Sequence, residues 1–324
     1  MTGPKTSRVA ANATEAAALI ERMRKGERRS IASAITELER LSPAAPLLLQ
    51  AMQPYLGRAL VVGFTGPPGA GKSTLVNAVI AHVRSLGETV GVIAVDPSSP
   101  VSGGAILGDR IRMTAALDDE GVFVRSLASR GYLGGLSPAA VRVIDALDAA
   151  GRDLIILETV GTGQNEIDVA EVADVRIVMS APGLGDDIQA MKSGLLEIAD
   201  IMVVNKGDRP GAEITLQQLL GALSIRAHRS GRVPVLKTTA TTGEGVPELV
   251  AAIKEVGFKA DAEAPLARRR RRARYLIARA AADIISEHIR EGGSSSLEAL
   301  ADKVLAGDLA PDAAARQLLE ARAK

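Results

Sequence analysis

Residues 66–73 read Gly-Pro-Pro-Gly-Ala-Gly-Lys-Ser, the spacing G-x-x-x-x-G-K-S of a phosphate-binding loop. An apolar run, Ala59 to Thr65, precedes it and a helix-forming stretch, Ser73 to Ser85, follows. That strand–loop–helix setting is what the motif needs. Backbone N–H groups of Gly66, Pro67, Pro68, Gly69, Ala70 and Gly71, as far as each has one, close around an anion at the positive end of the next helix. Lys72 is expected to reach the β- and γ-phosphates of a nucleotide, and Ser73 to ligate Mg²⁺, with Thr74 completing the cradle.

A second chemical signature is Asn205-Lys206-Gly207-Asp208, placed after the apolar run Ile201 to Val204. This is N-K-x-D. The Asp208 carboxylate can accept two hydrogen bonds from guanine N1–H and its 2-amino group, a pattern adenine does not offer. A base held this way rejects the wrong one by roughly 10⁴-fold, because the carboxylate would be left unpaired. Thr239, Ala240 and Thr241 follow another strand candidate and fit a loop backing the guanine ring; alone they also read as a polar loop before a helix.

Three carboxylates complete the candidate set. Glu158, in Glu158-Thr159-Val160-Gly161, stands at a strand end where a carboxylate binds Mg²⁺ through water, and the Gly161 N–H would sense the γ-phosphate. Asp96, also at a strand end, can orient a metal-bound or attacking water. Asp109 fits Mg²⁺ binding and helix capping equally well. The residue after Gly161 is Thr162, so a water-positioning glutamine is missing there. Intrinsic turnover is therefore expected to be slow, on the order of 10⁻⁴ to 10⁻² s⁻¹, and raised by a partner.

The elements that must carry these residues are legible as apolar runs. Strands are expected at Ala59–Thr65, Thr89–Val95, Val122–Arg125, Asp153–Leu157, Asp174–Ser180, Asp200–Val204 and Val233–Lys237. They are rich in Val and Ile without strict alternation, which suits strands buried on both faces. The expected fold is α/β: a mostly parallel sheet flanked by helices, with helical N- and C-terminal extensions. Domain bounds are expected at 1–57, 58–256 and 257–324, the last a possible dimerisation arm. In the first, Thr14 is the expected cap of a helix bearing Leu19, Ile20 and Met23. A second helix should carry Ile31, Ile35, Leu38 and Leu41 and stop at Pro43. Arg268–Arg272 with Arg274 make six arginines in seven residues. With no aromatics between them, they read as a solvated helix face or linker.

Composition narrows the classes. Hydrophobic residues make up 47% and charged residues 24% of 324, with aromatics at only 2%, so a large aliphatic core is available. A net charge of +1 gives no global attraction to nucleic acid. The absence of cysteine excludes disulfides and thiolate metal sites. No apolar run is long enough for a membrane span and no apolar signal core opens the chain. A cytoplasmic chain without membrane or nucleic-acid partners is expected.

Taken together, the strings Gly66 to Thr74, Val95 to Pro100, Gly103 to Arg110, Arg130 to Leu136, Glu158 to Glu166 and Pro182 to Gly194 resemble the MeaB/ArgK/MMAA-type P-loop GTPases. The resemblance covers most of residues 58–256. It implies a homodimeric GTPase that binds GTP/GDP and Mg²⁺ and serves as metallochaperone to an adenosylcobalamin-dependent acyl-CoA mutase, usually methylmalonyl-CoA mutase. It also implies a Mg²⁺ environment from Ser73, Asp96, Asp109 and Glu158, and a client-coupling loop containing Asp186, Asp187, Gln189 and Lys192. From the residues alone that loop is an entry to a helix, with Asp186 or Asp187 as its cap. Departures from the family pattern at Arg110, Ile111, Thr162, Asn165 and Gly207 remove no phosphate or guanine contact. Two alternatives are a nickel-delivery GTPase, which this chain could ligate only through His82, His228 and His288, and a transport-linked kinase, for which no acceptor site is marked.

Overall fold

A computed structural model describes residues 12–96, 119–128, 138–159, 169, 171–184, 195–224, 233–259, 265–291 and 295–322. The described residues up to Ala273 form one compact unit and those from Arg274 a second.

Seven strands make one sheet: β1 (Leu60–Thr65), β2 (Val90–Asp96), β3 (Val122–Ala128), β4 (Leu154–Thr159), β5 (Val175–Ser180), β6 (Ile201–Val204) and β7 (Val235–Lys237). Their order is β3-β2-β4-β1-β5-β6-β7, and every pair is parallel. All seven expected strands are present, their ends displaced by up to three residues, the most at β3, which runs on from Arg125 to Ala128. Parallel pairing forces crossovers, and helices supply them. After β1 the chain crosses to one side of it and later returns to the other, so the mouth of β1 is the switch point where ligands sit in such sheets.

Helices α4 (Lys72–Ser85) and, further along the chain, α8 (Val246–Lys259) cover one face. Val62, Phe64, Val90, Val92 and Ile156 point there, against Leu75, Val79 and Val83 of α4 and Leu249 and Ile253 of α8. The opposite face takes α5 (Pro138–Ala149), whose Leu147 lies so close to Gly91 that a Cβ there would touch it at 2.9 Å. Three helices precede the sheet, α1 (Ala13–Arg24), α2 (Arg28–Arg40) and α3 (Ala45–Met52), and pack on α5. The remaining helices of the first unit are α6 (Leu195–Ile198) and α7 (Ala212–Ser224), the latter packed under β6 and β7. Helix α9 (Pro265–Glu291) begins in the first unit; α10 (Ser295–Leu305) and α11 (Pro311–Arg322) pack on each other in the second. Among the described residues, no helix is long and apolar enough to cross a membrane.

Two details at the N-terminus differ from expectation. Asn12, not Thr14, caps α1: its side-chain oxygen accepts from Glu15 N at 2.9 Å. Asn is among the strongest N-caps, and Thr14 falls within the first helical turn. Leu41 does not join Ile31, Ile35 and Leu38 in the core; it follows the last turn of α2 in a left-handed conformation and is exposed.

The arginine run also departs from expectation. Arg268 and Arg272, one helical turn apart on α9, are buried rather than solvated. Arg272 donates to both oxygens of Asp174, at 3.3 and 3.0 Å, and Arg271 donates to Asp174 Oδ1 at 3.0 Å. Asp174 also accepts from Val61 N at 3.0 Å, so this carboxylate fastens the run to the start of β5 and to β1. A second buried carboxylate, Asp148 of α5, accepts from Gly57, Arg58 and Ala59 N and fixes the chain's entry into β1.

Beside Asp148, burial pushes Asp145 up to about 6; the Arg272 guanidinium opposes the shift and the Asp148 carboxylate reinforces it. A carboxyl raised in the folded state binds its proton more tightly there than in the unfolded chain. Its favourable contribution is full below the unfolded value near 4 and is lost as pH rises through about 6. Asp145→Asn removes that loss. Relative to the parent, the variant should gain about 2–3 kcal/mol between pH 4 and pH 8. Urea unfolding of both chains at the two pH values measures this, and a difference that does not change with pH would contradict it.

Candidate nucleotide site

Beyond Thr65 the chain leaves β1 through Gly66, at φ 141°, where a Cβ would overlap the carbonyl oxygen of Met179 in β5. Glycine is therefore required if the loop is to hug the sheet. The loop ends at Gly71, φ 87°, immediately before α4. Among the described residues no side chain caps α4, which leaves its leading N–H groups without a side-chain acceptor, an arrangement suited to an anion. Lys72 is only 8% exposed, and its ammonium donates to Gly66 O at 2.6 Å and Pro67 O at 3.1 Å. The charge is thus held inside the loop rather than extended into water.

Ser73, one residue into α4, donates its hydroxyl to Glu158 Oε1 at 2.5 Å. Glu158 is 1% exposed and lies in β4 between Phe64 of β1 and Ala94 of β2. Asp96 closes β2 opposite Ala128, so its backbone reaches the same edge of the sheet. Asp109, Gly161, Asp186, Asp187, Gln189 and Lys192 lie outside the described residues.

Asn205, just past β6, bridges two loops. Its Nδ2 donates to Ala70 O at 2.9 Å and more weakly to Gly71 O at 3.5 Å, while Oδ1 accepts from Thr238 Oγ1 and Ala240 N, both at 3.2 Å. Lys206 adopts φ 58° and lays its ammonium on Gly69 O at 2.6 Å. Asn205 therefore joins the loop after β1 to the loop after β7, and Lys206 adds a second tie to the loop after β1. Asp208 differs from these two neighbours. It is exposed, and its carboxylate has no hydrogen-bond partner among the described residues. Thr239 N donates to Glu244 O at 2.9 Å, making a tight turn that presents Ala240 and Thr241 beside Asn205.

These groups come from the carboxyl ends of β1, β4, β6 and β7 and form one edge. An anion cradle, a hydroxyl–carboxylate pair and an unengaged carboxylate are thereby brought together, although up to 137 residues separate the paired atoms. The spacing of the motifs put Ser73 and Glu158 at one expected metal site, and these two are hydrogen-bonded to each other. It did not anticipate that Asn205 and Lys206 would direct their described bonds to protein atoms. Asp148 and Asp174, which hold β1 at its other end, had no sequence signal: each is a single acid beside an apolar run.

A profile of the family described as Methylmalonyl Co-A mutase-associated GTPase MeaB matches residues 31–294. The Pyrococcus horikoshii protein PH0274 is 47% identical over 307 residues, which cover 93% of this chain and 96% of that one. GTPase ArgK of Escherichia coli is 42% identical over 249 residues, 74% of this chain and 75% of its own. The solved structure of a LAO/AO transport system kinase is similar at a TM-score of 0.75 and 29% identity, covering 97% of this chain and 100% of that one.

Proposed function

This chain belongs to the family of the methylmalonyl-CoA mutase-associated GTPase MeaB, and from that premise we propose that it is the GTP-hydrolysing chaperone of an adenosylcobalamin-dependent acyl-CoA mutase, methylmalonyl-CoA mutase before others. It gates cofactor loading and protects the mutase, acting as a homodimer in the cytoplasm. The observation that carries the nucleotide side of this reading is the frame made by Asn205 and Lys206, which joins the phosphate loop to the base-side loop.

In this reading the α4 N-terminus and the loop Gly66 to Thr74 hold the phosphates, and Lys72 neutralises charge developing on the γ-phosphoryl group. Asp208 reads the guanine edge, with Ala240 and its neighbours behind the ring. The Ser73–Glu158 pair fits a hard divalent cation, because both donors are oxygens and one is a buried carboxylate. Mg²⁺ would be held there, with Asp96 contributing from the end of β2 and Asp109 from further along the chain, and would supply charge neutralisation at the phosphates. Gly161 senses the γ-phosphate, and Asp186, Asp187, Gln189 and Lys192 carry the nucleotide state to the client. Residues 1–57 and 257–324 flank a GTPase domain at 58–256, the latter as a dimerisation arm.

Hydrolysis should be slow alone, since Thr162 follows Gly161, and faster with the client. The test is GTP turnover by the full chain with and without an adenosylcobalamin-dependent mutase of the same organism. Lys72→Ala is the control. We expect clear acceleration by the mutase and a loss of at least about 10²-fold in the variant, as when one preorganised charge donor is removed. Turnover indifferent to every such mutase would overturn the chaperone assignment, and an unaffected Lys72→Ala rate would overturn the phosphate site.

A further inference from the structure

A cleft of about 710 Å³ opens at the other end of the sheet from the nucleotide site. The residues that lead into β2, β3 and β4 form its floor: Thr89, Gly121 and Arg152. The turn between α1 and α2 forms its lip, bringing Lys25, Arg28 and Arg29. Its acids, Glu27 and Glu120, are outnumbered. Glu27 is already paired with Arg22 at 3.6 Å.

Arg152 is the informative residue. It is 5% exposed, yet Nε and Nη2 have no hydrogen-bond partner among the described residues; only Nη1 is engaged, with Gly121 O at 3.2 Å. Nε and Nη2 are the two nitrogens whose N–H bonds run parallel along one side of a guanidinium, the fork that grips a carboxylate or phosphate. This chain uses that fork repeatedly. Arg84 presents it to Asp119 at 2.9 and 3.0 Å, Arg125 to Glu39 at 2.7 and 2.7 Å, and Arg176 to Asp200 at 2.7 and 2.8 Å. In each pair the acid belongs to the chain. Arg152 has the same fork, more deeply buried, and among the described residues no acid is hydrogen-bonded to it, Asp119 and Asp153 acting on it through space. Two unmade charged bonds in a buried group are costly, and such groups are rare unless something outside the chain completes them.

Its surroundings point to an anion of more than one charge. Arg28 donates only to the neutral carbonyls of Asp119 and Val122, at 3.0 and 2.8 Å, so its charge is not cancelled by those bonds. Helix α2 starts at the lip, and among the described residues no side chain caps it, which leaves its leading N–H groups without a side-chain acceptor. Burial, together with the like charges of Arg28 and Arg84, pulls Arg152 below the usual arginine range, and the nearby Asp153 and Asp119 carboxylates only partly oppose this. The volume is that of a small-molecule site.

We propose that this cleft is a binding site for the phosphate group of a phosphorylated small molecule, gripped by the Arg152 fork with Arg28 and Arg29 and the start of α2 around it. Both fork nitrogens are buried, so Arg152 meets the phosphate by moving toward the cleft and giving up its bond to Gly121 O. The inference is independent of the nucleotide site, which occupies the opposite edge of the sheet.

The test titrates inorganic pyrophosphate into the full chain saturated with GDP, at low ionic strength, by calorimetry; GDP keeps the phosphate loop occupied. One saturable site is expected. Arg152→Lys, which keeps the charge and loses the fork, should weaken it by roughly tenfold or more, the effect of one lost charged hydrogen bond. The exposed pair Lys25→Ala with Arg29→Ala should weaken it several-fold and leaves the core untouched. Absence of a saturable site, or affinities unchanged in the exposed-pair variant, would overturn the proposal. An Arg152→Lys chain that folds and binds like the parent would reduce the cleft to diffuse charge attraction. Citrate binding more tightly than pyrophosphate would overturn the choice of phosphate.

Discussion

Asp208→Asn should move the base preference of this chain from GTP to xanthosine triphosphate. The carboxylate offers two acceptors, matching guanine N1–H and the 2-amino group. The amide offers one acceptor and one donor, matching xanthine, whose second position is a carbonyl. Because a polar group facing a mismatched partner loses a bond and its hydration together, the GTP-to-XTP preference should change by roughly 10⁴-fold. Asp208 is exposed and bonded to nothing among the described residues, so the substitution should leave the fold unchanged. Its neighbour is the opposite case. Asn205 holds Ala70 and Ala240 in register, and replacing it would loosen the site without informing on the base. Competition of GTP and XTP for the variant measures the preference, and undiminished GTP affinity would remove Asp208 from the base contact.

How much of this was legible in the sequence divides along a physical line. Runs such as Leu60-Val61-Val62 and Ile201-Met202-Val203-Val204 are buried on both faces, which demands aliphatic residues without alternation, and all seven strands could be read. The loop at Gly66 to Ser73 was legible because its backbone path admits few residue types: Gly66 has Met179 O where a side chain would be. Legibility failed where a residue's fate depends on a partner far along the chain. Within the arginine run, Arg268 and Arg272 are buried while Arg270 and Arg271 are exposed. Nothing in five identical letters separates them; the helical period does so only once Asp174, some 98 residues earlier, is known to wait on one side. The cap at Asn12 and the exposed Leu41 failed for a smaller reason, since helix ends are set by one or two residues and periodicity fixes only the middle.

That distant pair sets the largest expected loss of stability. The Asp174 side chain is 0% exposed and the Arg272 side chain 4%. Asp174→Ala removes the acceptor for Val61 N, for Arg271 and for both Arg272 bonds. What remains is a buried guanidinium without that counter-charge and an unpaired strand N–H at the start of β1. Removing one partner of a buried pair costs about 3–5 kcal/mol, so the variant should be near the edge of folding. Urea unfolding of the full chain at pH 7 measures it, and a loss below about 1 kcal/mol would show the pair to be incidental. The same geometry predicts non-additivity. Asp145 already feels Arg272, which holds its pKa below where burial alone would put it. With Asp174 gone, Arg272 keeps its interaction with Asp145, which should stay ionised to lower pH. Asp145→Asn, stabilising at pH 8 in the parent, should therefore lose that benefit or become destabilising in the Asp174→Ala background, because it then removes a second carboxylate that interacts with Arg272.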